Sequence, residues 1–187
     1  MLKLLALSLF LVLSSPAISS EKDDLAAEAR GLVKAFGGQL KQQLQAGMKG
    51  GGPLVAMDIC NAQAPAIATA VGGSTGWKVG RSSLKARSEN NRPDEWEMLA
   101  MLDFEKQKSA GKDMAAMENY VVIENSNGRI FRYMKAIPTA EVCLACHGEN
   151  VKPEVLAKIN QLYPMDQALG FKAGDIRGAF TLSKKLD

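Results

Sequence analysis

Residues 118–137 read ENYVVIENSNGRIFRYMKAI, and this stretch decides the architecture. Its two halves, 118–124 and 129–137, are rich in β-branched and aromatic residues and flank the pair Asn127-Gly128. An Asn-Gly pair between two such runs supplies the positive φ angles of a tight hairpin turn. An antiparallel hairpin is therefore expected here. Downstream, Pro153 opens a short helix over 152–163, and the run from Gly174 through Ile176, Ala179, Phe180 and Leu182 forms a last strand.

Upstream the period changes from two to 3.6. Leu25, Ala29, Leu32, Val33, Phe36, Leu40 and Leu44 recur at steps of three and four, the mark of an amphipathic helix over 21–48. Gly37-Gly38 is expected to weaken or bend it. Gly50-Gly51-Gly52 stops it, and Pro53 can open a second, apolar helix over 54–71 that Pro65 breaks or kinks. Residues 77–84 are expected as a strand with Trp77, Val79 and Leu84 facing inward. Arg92-Pro93-Asp94-Glu95-Trp96-Glu97 begins another helix that reaches Lys108, with acids crowding its positive end. Helices and a hairpin in mixed order imply an α+β fold with an antiparallel sheet and a long N-terminal helix.

The chain has 187 residues, 47% of them hydrophobic and 23% charged, which suits one domain with a substantial core. A net charge of +3 is too small to point to nucleic acid as a partner. Residues 1–20 have the layout of a secretion signal: Lys3, an apolar run over 4–13, then Pro16-Ala17-Ile18-Ser19 for cleavage. That run is well short of the ~18 residues a spanning helix needs. The expected mature domain is 21–187, exported to the periplasm or a thylakoid lumen. No stable membrane insertion is expected after cleavage, and no later run is read as transmembrane.

The only histidine, His147, closes Cys143-Leu144-Ala145-Cys146-His147. C-x-x-C-H is the attachment signature of a c-type haem. Two thiols three positions apart can add to two porphyrin vinyl groups, and the next residue offers its imidazole to the iron. A redox or structural C-x-x-C beside an incidental histidine is the competing reading, and export disfavours it. One haem c is thus the expected cofactor, with Cys143 and Cys146 as thioethers and His147 as axial ligand. The sixth ligand is Cys60, one of the methionines (Met57, Met98, Met101, Met114, Met117, Met134, Met165), water, or nothing. Methionines usually fill core gaps, and free cysteine is also commonly buried.

Several segments resemble one family, the exported single-haem proteins with a PAS-like fold. They are AMDIC at 56–60 with APAIA at 64–68, VGRSSLKAR at 79–87, NRPDEWE at 91–97, CLACHG at 143–148, YPMDQALGF at 163–171 and GDIRGA at 174–179. The chain departs from the family at Ser88-Glu89, where Asn-Pro is usual. The resemblance implies a PAS-like antiparallel sheet flanked by helices, and an axial pair made of the motif histidine and an upstream cysteine, here His147 and Cys60. Arg81, Arg87 and Arg177 lie in the matching segments and suit bidentate binding of haem propionates. Trp77, Trp96, Tyr133 and Tyr163 are candidates for packing on haem or in the core. The expected role is one-electron transfer with a redox partner protein; the alternative is a redox or gas sensor working through ligand exchange at Cys60. An enzyme is not expected, since no histidine remains for acid-base work and a bound Cys60 would block the iron.

Overall fold

The computed structural model describes residues 21–126 and 128–186; the expected secretion signal at 1–20, Asn127 and Asp187 lie outside them. Helix α1 (Glu21–Gly73) is two arms joined at a break, where Gly51 and Gly52 leave helical geometry and Gly52 has φ 74°. Only glycine adopts that angle without strain. The arms close tightly at Gly47, where a Cβ would lie 2.3 Å from the Cα of Ala56. Non-helical dihedrals occur nowhere else in α1, so neither Gly37-Gly38 nor Pro65 breaks it. Gly37 instead makes room for the Phe180 ring, which a Cβ would meet at 2.9 Å. At Pro65 the helix continues, and the Thr69 hydroxyl donates to the Pro65 carbonyl at 3.1 Å.

Strands β1 (Trp77–Ser82), β2 (Glu118–Asn125), β3 (Gly128–Pro138) and β4 (Ile176–Leu186) form one antiparallel sheet in the order β1-β4-β3-β2. The expected hairpin is β2–β3, but Gly128 lies inside β3 opposite Asn125 rather than between the strands. Leu84 lies beyond β1 and is exposed rather than inward, because the strand ends at the buried Ser82.

The two faces of the sheet are covered by different helices, as side-chain alternation along a strand requires. On one face Leu25, Ala26, Ala29 and Val33 of α1 pack against Trp77, Phe131, Tyr133 and Leu182. On the other, Ala100, Met101 and Phe104 of α2 (Glu95–Ser109) cover Met134, Ala136 and Ala179. Asp94 caps α2 in a reciprocal capping box with Glu97. The second arm of α1 turns to α4 (Pro153–Leu162), where Met57 packs with Val155 and Ile159. In part, α1 is long and apolar enough to cross a membrane by composition, a property the sequence reading assigns to no segment after residue 20.

A polar network closes the first face. The buried Tyr133 hydroxyl donates to Glu118 Oε2 at 2.7 Å, and Arg30 donates to the same carboxylate. The Arg30 hydrogen bond, reinforced by Tyr133, holds the Glu118 carboxyl below its ordinary range. A group so depressed stabilises the fold above its unfolded pKa and loses that contribution as pH falls through the folded one. Glu118→Gln should therefore cost about 1 kcal/mol at pH 7, with the gap to wild type closing in acid. Urea midpoints measured across pH 2–7 test this; a gap independent of pH would contradict it.

Candidate functional site

Three segments far apart in sequence meet at one end of the sheet. A 3-10 turn (Glu141–Cys143) runs into the single turn α3 (Leu144–His147), so the motif folds as the turn its spacing suggests. The segment after α4 then passes beside it: Phe171 N–H donates to the His147 carbonyl at 2.9 Å, and Gly170 N–H to that of Gly148 at 3.1 Å. The segment leaving β1 supplies the third wall, with the Ala86 carbonyl accepting from Gln167 N–H at 3.0 Å.

His147 Nδ1 lies 2.8 Å from the Ala168 carbonyl oxygen. A carbonyl only accepts, so Nδ1 carries the proton and Nε2 keeps its lone pair. Burial, followed by the charges of Arg177 and Arg87, holds the imidazole far below its ordinary pKa, hence neutral. Phe171 meets the ring edge-on at a centroid distance of 6.2 Å.

The expected residues converge here. Burial raises the Cys146 thiol, Arg87 opposes it, and Cys60, on the second arm of α1, lies close enough to add to the rise. Burial raises the Cys60 thiol itself, opposed by the neighbouring Arg81. Asp58–Lys158 at 2.7 Å and Tyr163 Oη to Asn61 Oδ1 at 2.9 Å tie the helix to α4 on both sides of Cys60. Burial, together with the charges of Arg87 and Arg81, lowers Arg177 to about 10. Arg87 finds its carboxylate within the chain, at Asp166. Arg177 donates to Ser83 Oγ at 2.9 Å and lies over the Phe171 ring. The Arg81 side chain has no hydrogen-bond or ion-pair partner among the described residues, although burial pulls its pKa down.

Of the four aromatics considered, only Tyr163 borders the site, under Arg87. Trp77 and Tyr133 are core, and Trp96 stacks with Arg132. Met101, Met117 and Met134 are buried under α2, with Met114 against them, while Met98 and Met165 are exposed. Met57 alone shares the apolar cluster that includes Cys146. The sequence reading does not single out Asp166, Ala168, Phe171 or Ser83. For Asp166 a signal exists: its carboxylate accepts from Ala168 N–H two residues on, the habit of an Asx turn.

These residues fit an iron porphyrin. Two thiols and an imidazole with a free nitrogen share one turn, a third thiol approaches from α1, and the guanidiniums of Arg87 and Arg177 share one carboxylate, with Arg81 near Cys60. A buried cation without a counter-charge is costly, so the surplus suits a ligand that brings carboxylates.

The fold and site are those of a PAS-like α+β domain with a cysteine-histidine motif at the sheet's end. The chain belongs to the Tll0287-like family, whose model matches residues 18–184. The crystal structure of the cyanobacterial heme-protein Tll0287 superposes with a TM-score of 0.63 at 22% identity, over 90% of this chain and 98% of that one. No curated protein matches.

The Cys60 thiol should resist alkylation at neutral pH. In ligand-free chain with Cys143 and Cys146 replaced by serine, the iodoacetamide rate should rise only above the ordinary thiol range of about 8.5. Arg81→Gln should push that rise higher still, and an unshifted profile would remove Arg81 from contact with the thiol.

Proposed function

We propose that this chain is an exported one-electron carrier holding one covalently attached haem c. Cys143 and Cys146 would form the thioethers, His147 and Cys60 the axial pair, and Arg81 and Arg177 would receive the propionates. The observation that carries the reading is His147 Nδ1 held on the Ala168 carbonyl, beside two thiols on the same turn. That contact leaves one imidazole nitrogen for a metal. The resemblance to the heme-protein Tll0287 supports it. When bound, the haem supplies the Fe(III)/Fe(II) couple. The chain's own part is to fix the imidazole's tautomer, exclude water with Met57, Val155 and Ile159, and neutralise ligand carboxylates with buried arginines. A thiolate on the second side favours Fe(III), keeps the potential low and fills the position an enzyme would leave open. The role as a carrier requires a redox partner protein outside the cytoplasmic membrane, in keeping with the secretion signal read at 1–20.

A second reading, redox or gas sensing, has one observation in its favour. Cys60 Sγ makes no hydrogen bond among the described residues, so the charge of Arg81 is all that favours its thiolate against burial. Ligand exchange there would then be easy on reduction.

The test is periplasmic expression with haem maturation. One haem per chain should survive acid-acetone extraction and show in the pyridine haemochrome spectrum. Cys60→Ala should change the ferric low-spin EPR signal and raise the midpoint potential by ~59 mV or more, a tenfold shift in preference for Fe(II). Colour lost entirely to the solvent would end the covalent reading. Reduced protein that binds CO would favour the sensor over the carrier.

A further inference from the structure

Arg87 and Asp166 form an ion pair at 3.1 Å whose side chains are only 11% and 4% exposed. Their hydrogen bonds reach further than each other. Arg87 Nη2 also donates to the carbonyls of Cys146 at 2.6 Å and Ala168 at 3.3 Å. Asp166 Oδ1 accepts from Ala168 N–H at 3.0 Å. The pair therefore grips residue 168 at both its amide and its carbonyl, and grips the haem-motif turn at the residue before His147. The Ala168 carbonyl so held is the acceptor for His147 Nδ1–H.

The geometry points to Arg87 and Asp166 as one positioning unit for the axial histidine, acting through the Ala168 carbonyl rather than on the ligand itself. This rests on the proposed haem reading and deepens it. A hydrogen bond from the outer ring nitrogen fixes the ring's orientation and raises its strength as a donor to the metal. A carbonyl held rigidly by a charged fork keeps that bond short through both oxidation states. Arginine is needed because one planar fork reaches a carboxylate and two carbonyls at once, which an ammonium cannot do. Losing either partner frees the carbonyl, weakens the imidazole as donor and makes Fe(II) relatively more favourable.

The test uses full-length, haem-loaded protein and the variants Asp166→Ala, Arg87→Met and the double variant. Midpoint potential and ferric EPR are the readouts, with haem content from the pyridine haemochrome. Each single variant should keep its covalent haem and raise the potential by about 59 mV, a tenfold change. The double variant should move no further than the larger single, because the two act together. Arg87→Lys, which keeps the charge and loses the fork, should shift the potential in the same direction and serves where a harsher variant fails to accumulate. Unchanged potentials in loaded single variants, or shifts that add in full, would overturn the positioning unit alone. A wild-type chain without covalent haem would overturn the reading beneath it as well.

Discussion

Where the return from β1, the cysteine-histidine turn and the segment before β4 converge, a guanidinium and a carboxylate are held almost entirely out of water. A pair in that position is costly to desolvate, and its attraction repays the cost only when every donor and acceptor is used. Here the fork of Arg87 also binds carbonyls from two of the converging segments, and Asp166 takes an amide. The sheet brings the segments near one another; the ion pair sets their relative position to hydrogen-bond precision. The orientation of His147 follows from it.

The electrostatics of this end of the domain are lopsided. Arg177 lies within reach of the charges of Arg87 and Arg81, and Asp166 answers Arg87. Arg177 leans on a serine hydroxyl and an aromatic face instead of a carboxylate. Neutral groups of that kind satisfy donors without cancelling charge. The surplus is tolerable on a surface and expensive once buried, which is why it argues for an anionic occupant more strongly than any single arginine does. The neutral imidazole beside it obeys the same field, since positive neighbours and burial both oppose its protonation.

Much of the frame was legible because it is local. The β2–β3 pairing, the acid-rich start of α2, Pro153 at the start of α4 and the glycine break in α1 each follow patterns within a few residues. Elsewhere local preference was a poorer guide. Pro65 stays within a continuous helix despite its missing N–H. Gly37 looks like a helix defect and is in fact the space into which Phe180 of the central strand fits. Leu84 continues an apolar pattern, yet β1 has ended before it.

The sequence by itself determined the candidate chemistry and the class of fold. A histidine one place after paired cysteines, and an odd third cysteine on a helix, can be read letter by letter because their meaning lies in spacing. Only the tertiary structure decided which residues share the site. It brought Cys60 from α1 beside a motif more than eighty positions later, set Arg81 next to Cys60, and gave Arg87 to Asp166. Sequence patterns report periodicity within an element, while charge balance and hydrogen-bond partners depend on distances between elements, which the packing of two helical layers on one sheet sets.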